Sequence, residues 1–210
     1  MHVLPFWLDA LGVFVFALSG ALNASRKELD IVGFILVASV TGVGGGTLRD
    51  LLLGRPVFWV GEPEFLLVTS VAAVLVYFTA PQLESRYRVL LWFDALGLSI
   101  YSVLGAGIAR SVGADWSVAI LMGVMTATFG GLIRDVICNE TPLILRREVY
   151  ASAAAAGAGM AVLLLALGLP ELAAALTGFA TALTIRGAAL LFELSIPTYR
   201  PRPGRDYPPR

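Results

Sequence analysis

The sequence predicts an all-α membrane protein with seven transmembrane helices, six of which form two inverted copies of a three-helix unit. Hydrophobic residues make up 58% of the 210 residues, and charged residues only 14%. A soluble domain carries about 25% charged residues and has too little interior to bury so much apolar surface. Long apolar runs separated by short loops predict the helix number, and a self-similarity at one fixed spacing predicts the repeat.

Composition also excludes several classes of function. Fifteen basic and fifteen acidic residues cancel, so no net field favours nucleic acid. A single cysteine and a single histidine leave no cluster of His and Cys ligands for a metal ion. No nucleophile stands beside a base in the pattern that an enzyme requires. We therefore expect no catalytic residues, no cofactor and no metal centre.

Seven runs are apolar and long enough to cross a bilayer, which takes about 20 residues for each helix. They lie at 4–24, 30–53, 64–80, 90–110, 116–138, 149–169 and 171–192. Loops one, three and five and the tail hold ten basic residues, against two in the opposite loops. The positive-inside rule therefore predicts an outside amino terminus and a cytoplasmic carboxyl terminus. The expected location is the cell inner (plasma) membrane, in contact with its lipids.

Two motifs each occur twice, and both are displaced by the same distance along the chain. Trp-Leu-Asp-Ala-Leu-Gly at 7–12 returns as Trp-Phe-Asp-Ala-Leu-Gly at 92–97, and the Gly-Gly-Thr-Leu-Arg-Asp of 45–50 returns as Gly-Gly-Leu-Ile-Arg-Asp at 130–135. Because the unit holds an odd number of spans, its second copy enters the membrane from the opposite face, as in many transport proteins. The predicted divisions are a first repeat, a second inverted repeat, a seventh helix and a cytoplasmic Pro/Arg-rich tail, at 1–85, 86–170, 171–192 and 193–210.

Glycine runs occur in the second and fifth spans. They are Gly44, Gly45 and Gly46 in the second span, and Gly130 and Gly131 in the fifth. Each glycine costs a helix roughly 1 kcal/mol relative to alanine. The runs therefore predict a kink or an unwound turn that lines a wet passage. The alternative is close packing of helices through small residues.

An adjacent arginine and aspartate follow each glycine run at membrane depth. Charges at this depth are costly and face a bundle interior or water. Depth along the helices predicts one structural ion pair in each repeat, Asp9 with Arg49 and Asp94 with Arg134.

The remaining carboxylates, Asp50 and Asp135, would then be free to meet water or a permeating cation. The alternative is that these charges are interfacial or purely structural. Arg186 of the seventh span is expected to reach the interface or to pair with Glu193, without a role in transport.

At these motifs the sequence resembles the bacterial branch of the trimeric intracellular cation (TRIC) channel family, whose repeated domain also carries a glycine-transporter label. The resemblance covers residues 3–192. It implies a homotrimer with a pore in each protomer, lined by spans two and five and permeable to monovalent cations, chiefly potassium. Matched residue by residue, it assigns the pore lining to Gly44, Gly45, Gly46, Arg49, Asp50, Gly130, Gly131, Arg134 and Asp135.

Two functions follow from these features. The favoured one is a passive potassium channel, in which freed carbonyls replace part of the hydration shell of the ion. The other is a secondary transporter of a small zwitterion such as glycine, because inverted repeats and broken helices suit alternating access equally well.

Overall fold

Helices make up the regular structure of the chain in a computed structural model that describes residues 6–197. The all-α prediction is confirmed, and no strand occurs within that range. The eight α-helices of the described residues are α1 Phe6–Arg26, α2 Ile31–Leu52, α3 Phe58–Gly61, α4 Glu64–Thr79, α5 Arg86–Ser111, α6 Trp116–Ile137, α7 Ala151–Ala166 and α8 Glu171–Phe192. Two 3₁₀ turns follow α4 and precede α7, at Ala80–Gln82 and Leu143–Leu145.

Six helices between residues 6 and 197 are long and apolar enough to cross a membrane: α1, α2, α4 with its following turn, α5, α6 and α8. The run expected at 149–169 forms α7, an apolar helix of only 16 residues. At a rise of about 1.5 Å per residue it measures about 24 Å, less than the roughly 30 Å of a hydrocarbon core. The basic residues of the predicted tail, from Arg200 onward, lie outside the described residues.

The centre of the bundle is the contact between α1 and α5. The rings of Phe16 and Tyr101 stack there, with centroids 5.4 Å apart and planes 9° from parallel. Each ring lies over a glycine of the other helix, Phe16 over Gly97 and Tyr101 over Gly12. These two glycines therefore let α1 and α5 approach closely, and α2, α4, α6, α7 and α8 pack around this pair.

Side-chain caps fix where the two glycine-containing helices begin. Asp30 accepts a hydrogen bond from the Gly33 N–H at the start of α2, with a distance of 2.8 Å. Asp115, 85 residues further along the chain, accepts one from the Ser117 N–H at the start of α6, at 2.9 Å. The hydrogen bonds from Ser117 hold the pKa of the Asp115 carboxyl below its ordinary value. Both helices therefore begin with an acidic cap of the kind that helix termini prefer.

The glycine runs do not unwind their helices. Both α2 and α6 are continuous α-helices across them, so the expected unwound turn is wrong, while the alternative of a kink stays a prediction. A Cβ atom on Gly45 would lie 2.1 Å from the carbonyl oxygen of Thr126, and one on Gly130 would lie 2.3 Å from that of Thr41. The glycines serve a close crossing of α2 and α6, which is the packing alternative.

An ion-pair cluster ties the loop after α6 to the end of α1. Glu140 Oε2 lies 3.0 Å from Arg26 Nη1, and Oε1 lies 3.3 Å from Lys27 Nζ. Burial tends to raise the pKa of the Glu140 carboxyl, but Arg26 and Lys27 outweigh burial and lower it overall.

We expect the change Glu140→Gln to lower the free energy of unfolding by about 1 kcal/mol at pH 7, the upper range for a partly exposed pair. Because the folded-state pKa is depressed, this stability is present above the ordinary carboxyl pKa and is lost as the pH falls through the folded value. Thermal unfolding of both proteins in detergent checks this. The difference between the two midpoints should shrink below about pH 4, and a difference that persists unchanged would contradict the assignment.

Candidate functional site

A buried charged cluster lies between α1, α5 and α6, centred on Arg134. Its Nη1 atom lies 2.8 Å from Asp94 Oδ1, and its Nε lies 2.8 Å from Asp135 Oδ1. The same Nη1 also donates to Ser19 Oγ of α1 at 2.9 Å. The Arg134 and Asp94 side chains are both 0% exposed, and that of Asp135 is 4% exposed. One guanidinium therefore holds two carboxylates in the interior of the bundle.

Asp135 has a structural partner on its second oxygen as well. Its Oδ2 accepts a hydrogen bond from the Leu143 N–H at 3.0 Å, where the 3₁₀ turn before α7 begins. The carboxylate thus fastens the loop after α6 to the charged end of that helix. The expectation that Asp135 is free to meet a cation is wrong for this conformation, because Arg134 and the backbone hold both of its oxygens.

The first glycine-containing helix, α2, has the same arrangement at positions 85 residues earlier in the chain. Arg49 Nε donates to Asp50 Oδ1 at 2.9 Å, and the Phe58 N–H donates to Asp50 Oδ2 at 3.1 Å. Arg55 Nε also lies 3.8 Å from Asp50 Oδ1. Through the Phe58 N–H, Asp50 ties the short helix α3 to the end of α2. Asp50 is also 0% exposed, so the expectation that it is free to meet a cation is likewise wrong for this conformation.

The two ion pairs expected from the sequence have different outcomes. Asp94 and Arg134 are in direct contact, as described above. Near Asp9, the hydroxyl of Tyr101 donates to the Asp9 carbonyl oxygen at 3.4 Å, which ties α5 to the start of α1. The pair between Asp9 and Arg49 stays a prediction.

The two clusters also differ beside their last glycine. A Cβ on Gly46 would lie 2.6 Å from a ring carbon of Phe58, so an aromatic ring covers that position. A Cβ on Gly131 would instead lie 3.0 Å from the Tyr150 hydroxyl oxygen, 3.2 Å from Asp94 Oδ1 and 3.5 Å from Arg134 Nη2. The second cluster is therefore lined by polar atoms where the first is covered by an apolar ring.

Sequence reasoning missed Tyr150 and misassigned Arg186. Arg186 of α8 is 1% exposed, its Nη2 lies 2.8 Å from Glu148 Oε2, and its Cζ lies 5.1 Å from the centre of the Tyr150 ring. The expected pairing with Glu193 is therefore wrong, and α8 contributes a buried charge beside the second cluster. The sequence contains one signal for Tyr150. The offset that aligns the two motifs also aligns Tyr150 with Phe65, so a hydroxyl occurs at only one of these two positions.

Comparison with known proteins decides the family. The sequence profile described as "Glycine transporter" matches the chain twice, at residues 6–81 and 91–166, which are displaced by the same offset as the two motifs. A crystal structure of the TRIC trimeric intracellular cation channel orthologue from Rhodobacter sphaeroides has a TM-score of 0.87 and 53% identity, covering 90% of this chain and 97% of that one. The chain belongs to the TRIC channel family.

Two further TRIC-family comparisons cover nearly the whole chain. A structure solved to explain conductance through TRIC cation channels has a TM-score of 0.84 and 30% identity, covering 96% of this chain and 100% of that one. The inner membrane protein YadS of Escherichia coli K12 is 38% identical over 203 residues, which are 94% of this chain and 97% of its own. The likeness therefore reaches beyond the motifs to the full set of helices.

Proposed function

We propose that this chain is a passive channel for monovalent cations, chiefly potassium, with a pathway inside each protomer of a homotrimer. The observation that carries the proposal is the pair of buried Arg–Asp clusters on α2 and α6. Ionisable side chains at membrane depth are costly and mark ion pathways. The Rhodobacter sphaeroides relative, 53% identical, is itself described as a trimeric cation channel, which supports the same function and assembly here.

The proposed pathway follows the glycine surfaces of α2 and α6. Its lining residues are Gly44, Gly45, Gly46, Arg49, Asp50, Gly130, Gly131, Arg134 and Asp135. Gly45 and Gly130 lie at the tight crossing of the two helices, so in this conformation the crossing is the narrowest place of such a pathway. Asp50 and Asp135 act in it by neutralising the adjacent arginines, because an unpaired guanidinium would repel cations.

The proposed architecture is seven spans in two inverted repeats. The helices α1, α2 and α4 form the first repeat, α5, α6 and α7 form the second, and α8 stands alone. Matching contacts support this plan, since each Arg–Asp pair and each carboxylate bond to a following backbone N–H recur at equivalent positions of the two copies. The divisions are then 1–85, 86–170, 171–192 and the tail 193–210.

The proposed location is a bacterial inner membrane, with the amino terminus outside and the carboxyl terminus in the cytoplasm. The distribution of basic residues supports the orientation. The name of the Escherichia coli relative, an inner membrane protein, supports the location.

Electrical recording of the purified protein in a planar lipid bilayer tests the channel. We expect unitary potassium currents without any added solute, because a passive pathway needs no conformational cycle for each ion. Empty bilayers and protein inactivated by heat are the controls. Saturable counterflow of labelled glycine in vesicles without unitary currents would overturn the proposal in favour of a carrier.

A further inference from the structure

A cavity of about 310 Å³ lies at one end of the bundle, where four helices end or begin. The last turns of α5 and α7 and the first residues of α6 and α8 border it. Its lining residues are Gly107, Arg110, Ser111, Trp116, Leu165 and Glu171. None of them belongs to the buried Arg–Asp clusters or to the proposed pathway, so the cavity requires an explanation of its own.

One face of α5 contributes half of the lining. Gly107, Arg110 and Ser111 are three and four residues apart, so they lie on the same side of the helix. A Cβ on Gly107 would meet no atom within 4 Å beyond its chain neighbours and the local helix backbone. The missing side chain therefore leaves open space on the face of α5 that carries the arginine.

The Arg110 guanidinium is held in place without a carboxylate partner. Its Cζ lies 3.7 Å from the centre of the Trp116 ring, and its Nη1 donates to the Ala114 carbonyl oxygen. Asp115 Oδ1 accepts hydrogen bonds from the N–H and the hydroxyl of Ser117 instead, and no ion pair of Arg110 occurs within residues 6–197. A guanidinium has five N–H donors in a rigid fork, so Arg110 keeps donors for a ligand whose oxygens match that fork.

Glu171, the first residue of α8, supplies the negative charge of the lining. Its side chain is exposed, and its carboxylate makes no ion pair or hydrogen bond within residues 6–197. One cation and one anion therefore line the cavity without neutralising each other. Such a lining favours a zwitterion, because an anion alone would meet the carboxylate and a cation alone would meet the guanidinium.

The cavity lies at the level where a membrane meets water. The helices α5, α6 and α8 are long and apolar enough to cross a bilayer, and the cavity lies at their ends. Tryptophan rings are enriched at this level. Neighbours of the lining residues in the sequence are apolar and exposed, with Val112 at 46%, Leu169 at 40% and Leu172 at 68%. A ligand can therefore place its charged part on Arg110 and Glu171 while an apolar chain covers these side chains.

We propose that this cavity binds the phosphoethanolamine headgroup of one membrane phospholipid, with the phosphate on Arg110 and the ammonium on Glu171. Arginine pairs with phosphate through two parallel N–H donors, and an ammonium group offers three donors to a carboxylate. Stacking on Trp116 orders the guanidinium before the lipid arrives, which lowers the entropic cost of binding. With the proposed orientation the site lies in the outer leaflet, and it does not depend on the channel function.

Native mass spectrometry of the full-length protein released from detergent micelles tests the site. The protein is titrated with phosphatidylethanolamine or with phosphatidylglycerol of the same acyl chains, and the lipids retained by each protomer are counted. We expect one saturable phosphatidylethanolamine per protomer, bound more tightly than phosphatidylglycerol, whose headgroup has a phosphate but no ammonium. Soluble glycerophosphoethanolamine should compete only at much higher concentration, because it lacks the acyl chains.

Two charge variants separate the phosphate from the ammonium. Arg110→Gln should weaken the binding of both lipids about three- to tenfold, through the loss of a charge-assisted hydrogen bond at a partly exposed position. Glu171→Gln should abolish the preference for phosphatidylethanolamine, because the carboxylate no longer attracts the ammonium. Arg55→Gln and Glu64→Gln are the matched controls, since Arg55 is a partly exposed arginine after α2 and Glu64 is the first residue of α4. Both controls should keep the binding and the preference of the unchanged protein.

A third variant fills the cavity. Gly107→Leu extends a side chain into the open space and should abolish the saturable lipid, while the unfolding midpoint without lipid stays unchanged or rises because leucine favours a helix. Equal retention of the two lipids by the unchanged protein, or a Glu171→Gln protein that keeps the preference, would overturn the proposal. So would an Arg110→Gln protein that binds as tightly as Arg55→Gln. Glycerophosphoethanolamine that competes at the same concentration as the lipid would overturn the membrane source, since a soluble zwitterion would then be the ligand.

Discussion

Replacing Arg134 by leucine should lower the free energy of unfolding by about 3–5 kcal/mol, the cost of breaking a buried ion pair from one side. The guanidinium is the direct partner of Asp94 and Asp135, and its removal leaves both carboxylates buried without a positive charge in contact. Ser19 Oγ loses its donor at the same time. Unfolding in a denaturant series in mixed micelles, followed by tryptophan fluorescence, measures the loss.

A matched arginine separates this effect from the general loss of a long side chain. Arg55 lies 3.8 Å from Asp50, and its side chain is 26% exposed. Arg55→Leu should therefore cost less than about 1 kcal/mol. Adding Asp94→Asn to Arg134→Leu should recover part of the stability, because one buried charge is removed. Strictly additive losses in the double variant would contradict the electrostatic explanation.

Replacing Gly45 by alanine should disrupt the crossing of α2 and α6 and cost at least about 3 kcal/mol, the upper range for overpacking a core. The added methyl group would lie 2.1 Å from the Thr126 carbonyl oxygen and 3.0 Å from its carbonyl carbon. Both atoms belong to the backbone of α6, so relief requires the two helices to move apart. Thermal unfolding and the fraction of folded protein recovered in detergent measure the effect.

Gly107→Ala is the matched control for this substitution. Gly107 also lies within a membrane helix, α5, and no atom beyond its chain neighbours and the local helix backbone lies within 4 Å of the position of an added Cβ. The higher helix propensity of alanine should leave the stability unchanged or raise it by up to about 1 kcal/mol. Equal losses at positions 45 and 107 would show that flexibility, and not the close crossing, is what α2 requires of its glycines.

Hydropathy anticipated the long helices well because lipid imposes one length and one polarity on every span. The run expected at 171–192 is α8, and the run expected at 116–138 is α6 with one residue more. The helix α5 begins at Arg86, four residues before its apolar run, since the first turn of a helix is free to be polar. The short helix α3 was missed because four residues carry no periodic signal.

The partners of the buried charges and the role of the glycines were harder to predict from the sequence. Adjacent residues on a helix point about 100° apart, so adjacency in the sequence does not by itself predict a bond between Arg49 and Asp50. In the structure the long guanidinium side chain bends back to its neighbour. An unwound turn and a close helix crossing both require the absence of a Cβ atom. Only the tertiary contact between Gly45 and Thr126 distinguishes them.

The current reversal potential of the reconstituted protein tests the account most directly. With a tenfold gradient of potassium chloride across a planar bilayer, a potassium-selective passive pathway should reverse near the potassium equilibrium potential, about 59 mV for a monovalent ion. The sign of the reversal potential should be the one at which the electrical force on potassium opposes its concentration gradient, and no other solute should be needed. Protein that folds and assembles normally but passes no current, or whose current reverses at zero potential in this gradient, would contradict a cation pathway through the protomer.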